Sequence, residues 1–246
     1  MYVANWKMNG SLPKIETWLK GIGKSLDKSL QKECVFCPPS CYLFQAAEII
    51  KNEKLKIFLG AQDIDPNYKK PLTGGINASM MKELGCDYVI IGHSERRQVF
   101  KEKNTLLMDK LKSASEQGLK IIYCIGESLE QKQANQTFSI IQEQLEIINK
   151  VDLKEFIIAY EPIWAIGSGQ SAQPSYITDI HNKITNLFKG SSKGTFLGVS
   201  YGGSVDSSTS RKILALKDVA GLLIGSASLQ YQEFSNIVLS KSTIKD

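Results

Sequence analysis

Eight short apolar runs punctuate this chain, at Tyr2–Trp6, Cys34–Cys37, Ile57–Gly60, Tyr88–Gly92, Ile121–Ile125, Phe156–Tyr160, Thr195–Val199 and Leu222–Ile224. Each is short and rich in β-branched or aromatic residues, which reads as a strand buried on both faces. Helical periodicity fills the gaps. Ile15, Trp18, Leu19 and Ile22 share one helix face, as do Leu107, Leu111 and Ala114. Phe138, Ile141, Leu145 and Ile148 make a long stripe, and Ile177, Ile180, Ile184 and Leu187 another. These stripes read as faces that cover a sheet. Alternation of strand and helix, with no linker, repeat or low-complexity stretch, predicts an α/β fold with a parallel sheet. Eight units in 246 residues favour a closed (β/α)8 barrel, one domain over residues 1–246, above an open doubly wound sheet. No glycine-rich dinucleotide fingerprint follows the first strand, which further disfavours the open sheet.

Composition narrows the function classes. A hydrophobic fraction of 42% with 22% charged residues is that of an ordinary globular protein. No apolar stretch of about 18 residues indicates a membrane span. The amino terminus runs straight into a strand-like segment without a basic lead or a small-residue cleavage site, so a cytoplasmic protein is expected. The net charge of +5 is spread over scattered lysines, without the basic stripe that a nucleic-acid binder shows. It suits an anionic small substrate. Five cysteines make no closed disulfide framework. Cys34, Cys37 and Cys41 lie close together, but four ligands are needed for a tetrahedral metal site, and only His93 and His181 could add a nitrogen. Free thiols are the expectation, with Cys124 a small core residue.

In a parallel barrel every strand's carboxyl end opens on one face, where residues distant in sequence meet. Asn5 and Lys7 follow the first strand, His93 the fourth and Glu161 the sixth. The seventh leads into Tyr201-Gly202-Gly203-Ser204 and the eighth into Gly225-Ser226. Pro162 cannot donate to a sheet, so it ends the sixth strand with Glu161 at its tip. The segment beyond reads as a lid, with an apolar tip (Ile163, Trp164, Ala165, Ile166) and two glycines, Gly167 and Gly169, placed to act as hinges. A carboxylate beside a lid suggests a base kept from water. Glycines and serines let backbone N–H groups converge on an anion, and the end of the eighth strand commonly helps to form a phosphate site, though such triplets are also plain turns.

His93 precedes what reads as the first turn of a short helix, Ser94-Glu95-Arg96-Arg97. A helix amino terminus disfavours imidazolium, so this histidine is expected to stay neutral and donate a hydrogen bond. Taken alone, it reads equally as a structural strand-end histidine. Arg96 and Arg97 beside Glu95 read as a solvated charged cluster; the alternative is that one of them, or Glu95 with Lys7, locks the floor of the site. His181 is placed at an outward helical position and given no role. The polar segment Ala61–Asn77 is too long for an idle loop in a compact domain.

Asn5-Trp6-Lys7-Met8-Asn9, Gly92-His93-Ser94-Glu95-Arg96-Arg97, Ala159-Tyr160-Glu161-Pro162-Ile163-Trp164-Ala165-Ile166-Gly167 and Tyr201-Gly202-Gly203-Ser204-Val205 together resemble the triosephosphate isomerase family, the type member of the TIM barrel. The resemblance runs the whole chain, in the same order and spacing. It implies interconversion of dihydroxyacetone phosphate and glyceraldehyde 3-phosphate, part of glycolysis and gluconeogenesis, with no metal or organic cofactor. It makes Glu161 the base, a neutral His93 the electrophile and proton shuttle, and Lys7 with Asn5 the stabilisers of an enediolate. It assigns the phosphate to backbone N–H groups of Gly167, Ser204, Gly225 and Ser226, under a lid Pro162–Ala172. Ile166 and Leu223 would press on the carboxylate, and Glu95 would support Lys7. It also implies a homodimer through the loop Ala61–Asn77, with Thr73 near the partner's site.

Three positions depart from the family. Gly75 stands where members usually carry a glutamate that braces an arginine across the interface. Ser226 stands where a second glycine is usual, which a serine tolerates if its backbone is not left-handed. Thr185 replaces a basic residue, which leaves Asp218 without its usual partner. A metal-using epimerase on the same fold needs several His and Asp ligands at strand ends, and two histidines are too few. A non-catalytic phosphate-binding barrel would leave base, electrophile, cation and lid without a purpose.

Overall fold

The computed structural model describes residues 1–67, 70–167, 171–189 and 194–240. Its strands are β1 (Tyr2–Asn5), β2 (Cys34–Cys37), β3 (Phe58–Ala61), β4 (Tyr88–Ile91), β5 (Lys120–Ile125), β6 (Glu155–Tyr160), β7 (Thr195–Tyr201) and β8 (Val219–Ile224). They lie side by side in sequence order, and β8 closes on β1. Every pairing is parallel; Val3 stands opposite both Val35 of β2 and Leu223 of β8. The expected closed (β/α)8 barrel is therefore the observed fold.

The register places the site. Side chains alternate along a strand, so one set fills the barrel and the other meets the helices. Val3, Val35, Ile90, Ile122, Ile157 and Leu223 belong to the inner set, whereas Ala4, Phe36, Val89, Ile121, Ile158 and Ile224 pack outward. Continuing the inner set two residues beyond Val3, Ala159 and Leu223 carries Asn5, Glu161 and Gly225 to the mouth.

The outer layer forms where the helical stripes predicted it. Ile15, Trp18, Leu19 and Ile22 of helix Leu12–Ser25 are buried, as are Leu107, Leu111 and Ala114 of helix Asn104–Glu116. Trp18 stacks on Phe36, ring centroids 4.5 Å apart, and its indole N–H donates to the carbonyl of Ser228 at 2.8 Å. Trp6 donates to the same carbonyl at 3.1 Å, so two buried indoles fix the turn after β8. In helix Pro174–Phe188 the buried face is Ile177, Ile180, His181, Ile184 and Phe188. Leu187, assigned to that face from its spacing, is exposed, and Phe188 takes the place. His181 is not outward but fully buried, its Nδ1 at 3.1 Å from the carbonyl of Asp218. Asp218 does have a partner: Asn182 Nδ2 donates to its carboxylate at 2.9 Å.

The cysteines are free thiols; Cys34, Cys37, Cys86 and Cys124 are buried and Cys41 is exposed. Among the described residues no helix is long and apolar enough to cross a membrane.

Candidate active site

A cavity of about 640 Å³ opens at the carboxyl ends of the strands, and its walls include Asn5, Lys7, His93, Glu161, Ile166, Gly167, Ser204, Leu223, Gly225 and Ser226. Sequence reasoning drew these residues from five strand ends and the lid, and the barrel brings them to one place.

Glu161 sits at the inner end of the cavity and is almost fully buried. Its Oε1 lies 3.1 Å from His93 Nε2, and its Oε2 accepts the backbone N–H of Ser94 at 3.0 Å. Close backbone approach makes this geometry possible. A Cβ at Gly202 would stand 2.8 Å from Glu161 Cγ, so the turn after β7 must begin with a glycine. His93 caps the helix Ser94–Gln98, its Nδ1 accepting the N–H of Glu95 at 3.2 Å. An Nδ1 that accepts needs its lone pair, which leaves the proton on Nε2, facing the carboxylate.

The electrostatics follow from this pairing. Burial pushes the Glu161 carboxyl up. The charge and hydrogen bond of His93, the Ser94 N–H and Lys7 outweigh it, and the pKa lies below the ordinary 4.5. For His93, burial pulls the imidazole down, but the charge and hydrogen bond of Glu161, with Glu95 beyond, lift it above 6.5. The lift depends on the carboxylate staying in place.

Lys7 reaches across the same mouth to Glu95, Nζ to Oε1 2.6 Å. Its backbone is left-handed, φ 51°, which a lysine adopts only when its surroundings hold it there. They do so from two sides. The Asn5 side chain accepts the Lys7 N–H at 3.1 Å, and Gln62 Nε2 donates to the Lys7 carbonyl at 2.9 Å. Arg96 and Arg97 divide their work. Arg96 binds Asp63 and Glu102, which also hold the fully buried Lys110. Arg97 turns toward the strand ends.

The lid is tied at its described points, and its residues 168–170, including the expected hinge Gly169, lie outside the described residues. Trp164 Nε1 donates to Glu127 Oε1 at 2.8 Å, and the hydroxyls of Tyr160 and Tyr176 donate to the same carboxylate. At the tip, the Ser204 backbone N–H and hydroxyl both donate to the carbonyl of Ala165, at 3.0 and 2.7 Å. At the far end, the Ala172 N–H donates to Tyr201 Oη at 2.9 Å and the Ser171 hydroxyl to the Ser204 carbonyl at 2.7 Å. Gly167 has φ 66°. The Ser204 N–H, expected to face phosphate, donates to the Ala165 carbonyl. Ser226 opens the 3-10 turn Ser226–Leu229 and is not left-handed, so serine fits there.

Sequence reasoning missed Ser94, Gln62, Tyr201 and Glu127. Gly126-Glu127 stands at the end of β5, the same kind of position as that of His93 and Glu161. Among the described residues no group of three or more His, Cys, Asp and Glu side chains is arranged to hold a metal ion.

The long segment after β3 is pinned at its base, where Asp65 N donates to the Ile76 carbonyl at 2.7 Å and Ile76 N to the Asp65 carboxylate at 2.8 Å. It carries Leu72 and Thr73 into solvent. Residues 68 and 69 of this loop lie outside the described residues. Gly75 N donates to the Leu72 carbonyl at 3.1 Å.

Comparison with known proteins agrees with this geometry. The family model described as triosephosphate isomerase matches residues 1–241. A triosephosphate isomerase of Buchnera aphidicola subsp. Cinara cedri is 41% identical over 244 residues, covering 96% of each chain. That of Aquifex aeolicus is 35% identical over 253 residues, 98% of each, and that of Psychromonas ingrahamii 34% over 244 residues, 97% of each. With its strand order, its mouth residues and these relatives in agreement, the chain belongs to the triosephosphate isomerase family.

Proposed function

We propose that this barrel, as a single domain, interconverts dihydroxyacetone phosphate and D-glyceraldehyde 3-phosphate through an enediolate, and does so in the cytoplasm. The observation that carries the reading is the 3.1 Å approach of Glu161 Oε1 to His93 Nε2 at the inner end of the anion-accepting cavity. An ionised buried carboxylate, held by an N–H and an imidazole, is a base without competing water.

When substrate enters, its carbonyl oxygen takes the Nε2–H of His93 and its α-carbon faces Glu161. The carboxylate removes the proton, the C–H electrons become the C=C bond of the enediolate, and the carbonyl π electrons move onto oxygen. His93 Nε2–H, the Lys7 ammonium and the Asn5 amide stabilise that charge, and donors already in place need no reorganisation. His93 shuttles the proton between the two oxygens, and Glu161 returns its own proton to the neighbouring carbon. Gly167, Ser204, Gly225 and Ser226 grip the phosphate through backbone N–H groups once the lid Pro162–Ala172 closes, and Ile166 and Leu223 wall the carboxylate. For Ser204 this requires the Ala165 carbonyl to give up its N–H, so phosphate binding and lid movement are one event. Closure keeps water from an intermediate that can expel its phosphate.

The same reading includes a homodimer. Met8, Phe44, Leu72, Val99 and Phe100 expose large apolar surface just beyond β1, β2, β3 and β4, and a second copy of this rim is a fitting cover, with loop Ala61–Asn77 carrying Thr73 toward the partner's site.

The test is turnover of glyceraldehyde 3-phosphate by the parent and by Glu161→Gln. Loss of the base lowers the rate by at least about 100-fold. Equal rates remove Glu161 from the chemistry.

A further inference from the structure

Beside the reacting pair lies a cation that touches no substrate. Arg97 is not among the cavity's lining residues, yet its guanidinium makes four hydrogen bonds to the framework that aims the pair. Nε donates to the Gly92 carbonyl at 2.8 Å, and Nη1 to Asn104 Oδ1 at 2.9 Å. Nη2 donates to the Tyr123 hydroxyl at 2.8 Å and to the Cys124 carbonyl at 3.2 Å. All four acceptors are uncharged. Among the described residues Arg97 has no carboxylate partner within ion-pair distance, in contrast to Arg96. This arrangement uses the planar fork of the guanidinium, and its charge serves no ion pair.

We infer that Arg97 is a positioning residue for the isomerisation: it clamps the ends of β4 and β5 so that the His93 imidazole meets Glu161 and the developing oxyanion. The inference rests on the isomerase reading given above.

The Gly92 carbonyl belongs to the peptide bond that enters His93, so the Nε bond sets the plane from which the imidazole departs. Gly92 itself is left-handed, φ 75°, and a Cβ there would lie 3.0 Å from Arg97 Nη2 and 3.2 Å from the Cys124 carbonyl. Residue 92 is glycine because the guanidinium and the neighbouring strand fill its flank. The clamp then passes from β5 to β6. The Tyr123 hydroxyl donates to the Gln144 backbone carbonyl at 2.7 Å, and the Gln144 side-chain amide holds both the N–H and the carbonyl of Gly126. Next to that point the Ile125 carbonyl accepts the Glu161 N–H at 2.7 Å. One side chain thus registers the backbone of the electrophile against that of the base, where a displacement of 1 Å is worth roughly 100-fold in rate.

The experiment compares the parent, Arg97→Lys and Arg97→Gln for kcat and KM with glyceraldehyde 3-phosphate. It also measures the affinity of two probes: inorganic phosphate, and 2-phosphoglycolate, whose planar carboxylate copies an enediolate. We expect kcat to fall by about 10- to 100-fold in both variants, since lysine keeps the charge but not the fork. KM and phosphate affinity stay within about twofold, and 2-phosphoglycolate weakens in step with kcat/KM. Full activity in Arg97→Gln, recovery in Arg97→Lys, or parallel loss of phosphate affinity overturns the role. Should either variant fail to fold, Tyr123→Phe removes one acceptor and leaves the ring; a fall in kcat of about threefold or more at constant KM supports the clamp, and no change overturns it. A parent without turnover overturns the isomerase reading, whereas an active parent with unaffected variants overturns only the part given to Arg97.

Discussion

The indole N–H of Trp164 donates to the carboxylate of Glu127 across 2.8 Å, so the apolar tip of the lid is fastened to the end of β5. Lys132 covers the other side of that indole, its ammonium 3.4 Å from the ring centroid. The bond fixes the tip of the segment where the structure places it, and its loss frees that tip to move. Trp164→Phe is therefore expected to lower kcat/KM several-fold, because a loosened segment spends less time in the position that serves turnover. Steady-state kinetics decide the matter; an unchanged kcat/KM contradicts the fastening.

Lys7, proposed to stabilise the enediolate, has an unfavourable backbone. Glycine has no penalty at positive φ, and the Lys7–Glu95 pair, more than a quarter exposed at the lysine, offers little stability in return. Lys7→Gly is expected to raise unfolding stability by about 1 kcal/mol and to lower turnover by on the order of 100- to 1,000-fold. Urea unfolding and rate measurements on the same preparation check both. A variant that is both less stable and still active refutes the account.

His181 supplies a pH signature of folding. Burial holds its imidazole down at about 4, against an ordinary 6.5, despite the Asp218 carbonyl. The folded state therefore disfavours imidazolium: the stability tied to this histidine is present above pH 6.5 and is lost as pH falls toward 4, amounting to about 3 kcal/mol. Asp63 works in the opposite sense. Burial raises its carboxyl to about 6 against the pull of Lys110 and Arg96, so its contribution is largest below pH 3.8 and declines as pH rises through 6. The difference between the parent and His181→Gln isolates the histidine. Its urea-unfolding profile should show the parent losing stability relative to the variant between pH 6.5 and 4. Parallel profiles contradict the assignment.

Homodimerisation has its own handle in Leu72, which is 55% exposed at the tip of the long loop. Leu72→Glu puts a charge where a partner surface would close over it, and is expected to shift sedimentation toward the monomer at micromolar concentration. A parent that sediments as a monomer removes the dimer from the reading.

Much of this molecule was legible in its sequence because barrel strands are buried on both faces and appear as short apolar runs. His93 and Glu161 stand out by position, as the first polar residues beyond such runs, and Asn5 as the polar residue near the end of the first. His181 was misplaced because the stripe through Ile177, Ile180, Ile184 and Leu187 leans to one side of the buried arc. The buried arc runs from Ile180 through Ile184 and Ile177 to Phe188 and His181, and Leu187 drops off its edge. Glu127 stands at a strand end as plainly as His93, but its role there is not legible in the sequence. Its meaning comes from Tyr160, Trp164 and Tyr176, which only the closed barrel brings to it. The partner of Asp218 was illegible in the same way, since Asn182 replaces a charge with an amide at a different helical position.

The central claim, proton transfer by one carboxylate, is tested most directly by carrying out the reaction in deuterium oxide. Glyceraldehyde 3-phosphate should yield dihydroxyacetone phosphate with deuterium on carbon 1, seen by NMR, in that fraction of turnovers where the proton held by Glu161 exchanges with solvent before its return, and Glu161→Gln should lose turnover and labelling together. Labelling and turnover in Glu161→Gln at the parent's rate would contradict the role given to Glu161.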